Sequence, residues 1–226
     1  MKHILDRPIW SALSTRHAHL AEGCGGALRY PPSVSLFAAT ADETPESLAS
    51  LAALTAPGDS QYIVQADEIA LPDGLSEVVR ARAVQMLAER PIEIIDDPRI
   101  ERLGEADAQE MLDLALLTKP GPFTLKSQAL GSFWGIKEGG RLLAMAGERL
   151  RQPGMTELSG VAVQPDQQGK GFGRLLSVYV AGQIAGRGEQ AYLHAYATNT
   201  KAIALYESIG FRLRTELNVV VTKREA

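Results

Sequence analysis

The sequence predicts an α/β chain of the α+β kind, and three observations carry that prediction. Leu176, Val180 and Ile184 recur at i, i+4 and i+8, the period of an amphipathic helix. Phe133–Lys137 and Leu142–Leu150 are apolar runs on either side of Glu138-Gly139-Gly140, a hairpin signal. From residue 100 onward the elements read strand, helix, hairpin, strand, helix, strand, helix, hairpin. With 45% hydrophobic and 22% charged residues among 226, the composition is that of a chain with a packed core.

The second half is the more legible. Ile100–Leu103 reads as a strand, and 106–117 as a helix with Met111, Leu112, Leu114 and Ala115 near one face. Lys119-Pro120-Gly121-Pro122 interrupts regular structure. After the hairpin and a turn at Pro153-Gly154, Glu157–Val163 forms a strand that ends before Pro165. A helix over 171–187, a strand over 191–197 and a helix over 200–209 follow, with Gly210 closing the last. Phe211–Thr215 and Asn218–Thr222 are expected to pair as a terminal hairpin. In the first half, Thr44-Pro45 is an N-cap followed by a first-turn proline, opening a helix to about Thr55. Val34–Ala38 and Tyr62–Val64 read as strands, while 81–89 fits strand or helix. A change in charge balance near Asp96-Asp97-Pro98 suggests a boundary, giving an N-terminal α/β lobe (1–97) and a second domain (98–226).

Composition excludes several function classes. A single cysteine, Cys24, leaves no intramolecular disulfide and no cysteine-rich metal site. No pair of His, Asp or Glu has metal-ligand spacing, so no metal is expected. The first twenty residues carry Asp6, Arg7 and two histidines, unlike a signal peptide, and no apolar run is long enough to span a membrane. A cytoplasmic protein, monomer or homodimer, is the expectation. Residues 1–98 hold 7 basic and 14 acidic side chains, against 16 and 13 in 99–226. The acidic first half argues against nucleic-acid binding, and the mildly basic second half suits a phosphate-rich small ligand.

The stretch Gln168-Gly169-Lys170-Gly171-Phe172-Gly173-Arg174 lies between an apolar strand and an amphipathic helix. Glycines there permit positive φ and bring main-chain N–H groups close to a ligand. The helix N-terminus offers unpaired donors and partial positive charge to a pyrophosphate, with Lys170 and Arg174 at the rim. A Walker A loop fails because Gly171 follows Lys170. A dinucleotide GxGxxG fails because Arg174 and Leu176 stand where glycine is needed.

Together with its surroundings this stretch resembles the GCN5-related N-acetyltransferase (GNAT) superfamily, in its FR47-like branch. Gln168, Gly171 and Gly173 match the loop pattern Gln/Arg-x-x-Gly-x-Gly/Ala. Asn199, Ala202, Leu205, Tyr206, Gly210 and Phe211 match the downstream signature, and Val161-Ala162-Val163-x-Pro165 the strand before the loop. The resemblance covers 98–226 and leaves 1–97 as an extension of unassigned role or a degenerate GNAT-like half. It implies a mixed, mostly antiparallel sheet with helices on both faces and a V-shaped splay between central strands. It also implies acetyl-CoA as co-substrate, held by residues 161–163 and 168–174 with Asn199 and Tyr206, and an amine acceptor.

Within that resemblance, Tyr206 is the candidate acid for the departing thiolate, core packing being its other reading. Backbone N–H groups at Val161 and Val163 would serve the thioester carbonyl and the pantetheine arm. Asn199 would contact pantetheine, or cap a helix. Glu157 is the candidate base, four residues before Val161 and so on the same face of a regular strand, with burial expected to raise its pKa. A salt-bridged glutamate is the alternative. His194 reads as a packed structural side chain. The acceptor is expected against 119–132, with Phe123 in contact and the acidic first half attracting a cationic amine. A non-catalytic coenzyme A sensor is the rival function.

Overall fold

The computed structural model describes residues 3–225. The first half supplies α1 (Pro8–Leu13), β1 (Glu22–Cys24), β2 (Ala27–Arg29), β3 (Ala38–Thr40), α2 (Pro45–Leu54), β4 (Ser60–Gln65) and β5 (Leu75–Ala88). Then come β6 (Ile100–Leu103), α3 (Ala108–Thr118), β7 (Phe133–Glu138), β8 (Arg141–Gln152) and β9 (Met155–Val163). The chain ends with α4 (Phe172–Gly186), β10 (Gln190–Tyr196), α5 (Thr200–Ser208) and β11 (Phe211–Arg224). Strands β1–β3 form a small sheet. The others form one eight-stranded sheet in the order β4-β11-β5-β10-β9-β8-β7-β6. Every neighbouring pair is antiparallel except β9 and β10, which α4 connects. This is the mixed, antiparallel-dominated sheet expected from the sequence.

Helices cover both faces, as the alternation of side chains along the strands shows. Met86, Ala191, Leu193 and Leu158 pack with Leu176, Val180 and Ile184 of α4 and Tyr206 of α5. Their strand neighbours Leu87 and Tyr192 point the other way, onto Ile9, Ala12 and Leu13 of α1. Met145 and Ala162 share that second face, where Met111, Leu114 and Ala115 of α3 lie.

One open alternative is settled and two expectations change. Residues 81–88 are strand, because β5 is paired on both sides, by β10 and by β11. The expected terminal hairpin is one strand: 215–218 holds no tight-turn pair, and a bulge between Leu213 and Thr215 bends β11 while it stays on β5. The strand expected over Val34–Ala38 begins only at Ala38, with Phe37 making an isolated bridge to Tyr62. The N-cap at Thr44 forms as read, accepting from the Ser47 amide. Strands β4 and β5 precede residue 97 yet lie in the same sheet as the later strands.

One buried group on the α1 side makes stability pH-dependent. His17 is 2% exposed and its Nδ1 lies 2.8 Å from the Tyr30 hydroxyl. Burial, helped by the nearby Arg151 charge, pushes its pKa from 6.5 down to about 4. A lowered histidine pKa means the unfolded chain binds the proton first. Stability is therefore full above pH 6.5 and falls as pH drops toward 4, by about 3 kcal/mol in all. Thermal unfolding followed from pH 7.5 to 4.5 should show this slope, and His17→Gln should flatten it. Parallel curves for the two proteins would exclude His17 as its origin.

Candidate active site

The site begins where two strands stop pairing. β10 pairs with β9 only over Gln190–Tyr192, opposite Met155–Glu157. Beyond that point β10 continues against β5 alone, and the edge of β9 that faced it has no strand partner among the described residues. The strands diverge into a V, and a cavity of about 340 Å³ opens there. Leu158–Val163 lines one wall, and His194–Tyr196, Asn199 and Tyr206 line the other. Phe37, Tyr62 and Val64 reach it from the first half, and Lys119–Pro122 from the segment after α3.

Two bulges set the side-chain directions. Met145 pairs with Ala162 and Gly147 with Ser159, so Gly160 and Val161 together oppose Ala146. Gly160 sits at φ +63°, which a residue with a Cβ adopts only with strain; an added Cβ would also meet the Phe133 ring at 2.8 Å. The extra residue reverses the alternation. Val161 and Val163 therefore share the α4 face with Leu158, whereas Glu157 points to the other face. This corrects the expectation that Glu157 and Val161 share a face: that holds only in a regular strand, and Gly160 breaks it.

The second bulge lies in β8, where Arg149 and Leu150 together oppose Glu157. The Glu157 carboxylate is fully buried and saturated. Arg149 donates to Oε2 from Nε at 2.9 Å and to Oε1 from Nη2 at 2.6 Å. The Leu150 amide donates to Oε2 at 3.2 Å, and His194 Nδ1 lies 2.7 Å from Oε1. Burial alone would raise this carboxyl, but the charge and hydrogen bonds of Arg149 and His194 outweigh it and hold the group well below the usual carboxylate range. The expected rise is thus a fall, and Glu157 stands behind Arg149 and His194 rather than in the cavity wall. His194 is fixed at both nitrogens, its Nε2 accepting from Gln85 Nε2 at 2.8 Å.

On the opposite side, the loop 168–173 leads into α4. Gly169 and Gly171 take φ of +80° and +83°, and a Cβ built on either meets nothing within 4 Å. The loop backbone is thus open to a ligand beside the unpaired N–H groups of the first turn of α4. Gln168 and Gly173 line the cavity, Lys170 Nζ holds Gln167 at 2.7 Å, and Phe172 packs on the α4-side core. Arg174 is exposed in the first turn of the helix. Asn199 Oδ1 accepts from the Ala202 amide at 3.2 Å, capping α5, while the residue also lines the cavity. Tyr206 is 9% exposed and opens onto the cavity. Its hydroxyl makes no hydrogen bond among the described residues. Burial, with the Glu157 charge adding to it, pushes its pKa up to about 12.

Comparisons with known proteins agree with this geometry. The FR47-like protein family matches residues 133–220. A solved GNAT-family structure from Novosphingobium aromaticivorans is 39% identical, covers all of both chains and superposes with a TM-score of 0.93. The chain belongs to the GNAT family. Among curated proteins, it is 42% identical over 60 residues to mycothiol acetyltransferase of Kocuria rhizophila, covering 26% of this chain and 20% of that one. It is 42% identical over 59 residues to the ribosomal protein bS18-alanine N-acetyltransferase of Salmonella typhimurium, covering 26% and 40% respectively. The chain thus spans well under half the length of these curated relatives.

In this GNAT chain residues 161–163, 168, 173, 199 and 206, which the sequence marks for the acetyl donor, line one cavity, whereas 169–172 and 174 of the same loop do not. Phe123 does not join them; it packs edge-on against Phe133, 5.6 Å between centroids, in the α3 cluster. Sequence reading missed Arg149, whose partner is fixed by a bulge that no local pattern announces. It also missed Phe37 and Tyr62: the first half is expected beside the acceptor, but nothing local tells which of its residues reach the V. The acidic character of that half does not reach it either. The cavity residues contributed by 1–97 are Ile9, Phe37, Tyr62, Val64 and Ala83, with no carboxylate among them.

Proposed function

We propose that the protein transfers an acetyl group from acetyl-CoA to a primary amine by direct attack in a ternary complex. The observation that carries this reading is the V between β9 and β10, with a free main-chain edge on one wall and the Tyr206 hydroxyl on the other. The glycine loop and the start of α4 fit the diphosphate, and Asn199 fits the pantetheine arm. Main-chain donors at Val161 and Val163, fixed before the reaction in a water-poor cleft, stabilise charge on the carbonyl oxygen and position the arm.

The amine nitrogen attacks the thioester carbonyl, the C–N bond forms, and the C–S bond breaks as the carbonyl re-forms. The departing thiolate takes the Tyr206 hydroxyl proton, which that group holds at neutral pH. The proton lost by the amine passes to water in the cleft, which returns one to the Tyr206 phenolate, because Glu157 is ionised, saturated and turned away from the cavity. Glu157 and His194 act as positioning residues that hold Arg149 in the wall. The reading places the enzyme in the cytoplasm, where acetyl-CoA is available.

Thiol release from acetyl-CoA against pooled amines tests this, alongside thermal unfolding with and without acetyl-CoA. The expected result is amine-dependent release together with a raised Tm. A raised Tm without release from any amine would instead favour a coenzyme A sensor.

A further inference from the structure

Resting on that reading, we infer that the acceptor is a primary amine carried on an apolar or aromatic body, with no second positive charge. The inference comes from the wall of the cavity that the first half supplies. Ile9 and Phe37 are buried, Tyr62 and Val64 are half-buried beside them, and buried Val219 of β11 completes the wall. Phe37 and Tyr62 meet edge to face, 6.3 Å between centroids, forming an aromatic corner. The Arg149 guanidinium lies 4.8 Å from the centre of the Phe37 ring and spends its charge on Glu157, so this floor is neutral overall.

Charge decides what cannot bind here. No Asp or Glu lines the cavity among the described residues, and its charged lining side chains are Arg149 and Lys119. Lys119 is exposed at the rim and has no ion-pair partner among the described residues. A second ammonium on the acceptor would leave water, find no unpaired anion on the lining and meet the uncompensated charge of Lys119 at the rim. An alkyl or aryl group loses nothing by the same transfer and gains the apolar wall. The cavity's 340 Å³ also holds the reacting end of the donor, which limits the acceptor body to a ring or a short chain.

The test pairs pentylamine with 1,5-diaminopentane, identical in length but for one ammonium, and adds 2-phenylethylamine. The expected result is kcat/KM at least about 100-fold higher for pentylamine and phenylethylamine than for the diamine. Phe37→Ala should raise KM for phenylethylamine while leaving KM for acetyl-CoA unchanged. Tyr62→Glu, on the edge strand β4 where a change of side chain is readily accommodated, should shift preference toward the diamine. Equal or better turnover of the diamine by the unsubstituted enzyme overturns the inference. So does an acetyl-CoA-induced rise in Tm with none of the three amines acetylated, an outcome that leaves donor binding intact. Loss of both turnover and the acetyl-CoA effect overturns the transferase reading itself.

Discussion

Tyr206→Phe is expected to lower kcat by about 100-fold or more while leaving KM for acetyl-CoA within a factor of about three. The ring is packed edge-to-face against Phe211 at 6.2 Å, and phenylalanine preserves that contact. The hydroxyl makes no hydrogen bond to the described protein, so its removal strands no buried partner and Tm should hardly move. The loss therefore reports chemistry rather than folding. Because the Tyr206 pKa lies near 12, the unsubstituted enzyme should show no fall in kcat from this group up to about pH 10. Steady-state kinetics at saturating amine decides the matter. A variant with kcat within threefold of the original would remove Tyr206 as the acid and make solvent the proton donor.

How well the sequence announced this site depended on how local each determinant is. Glycines at 169, 171 and 173 and the Asn199-to-Phe211 block act through backbone conformation and helix spacing within a few residues, and both were readable. Strands β7 to β10 were legible for the same reason, as largely apolar runs between turn residues. The arrangement of the first half was not legible. β5 is strand because β10 and β11 flank it, and a 14-residue segment running Leu-Ser-Glu-Val-Val-Arg contains no signal of either neighbour. α1, six residues long, is stabilised by the core it enters and carries too few turns to show a period.

The error over Glu157 has the same physical root. Counting four residues to Val161 gives one face only if the strand is regular, and the sequence does contain Gly160, the residue that permits the bulge. That glycine was visible; its φ of +63° was not. Nor does burial alone set the sign of the shift while the neighbours are unknown. Desolvation and a bidentate arginine push a carboxyl in opposite directions, and only the β8 bulge at 149–150 shows which prevails.

Arg149→Met should be the most destabilising single change at the site, because it leaves a fully buried carboxylate without its cation. Breaking such a pair from one side costs about 3–5 kcal/mol, far more than the pair itself contributes. Without that cation burial dominates, and the pKa of the carboxyl rises toward and past the normal value. Sign follows from that: with Arg149 present, folded Glu157 is more acidic than unfolded, so its contribution holds above pH 4.5 and fades as pH falls. In Arg149→Met the order is reversed, and the protein should become relatively more stable on acidification toward pH 5. The double variant Arg149→Met with Glu157→Gln should recover much of the loss, since no charge is then left buried. Chemical denaturation of the three proteins at pH 5 and pH 7.5 measures both effects. A double variant no more stable than Arg149→Met alone would mean that the arginine works by packing under Phe37, and that the ion pair holds nothing in place.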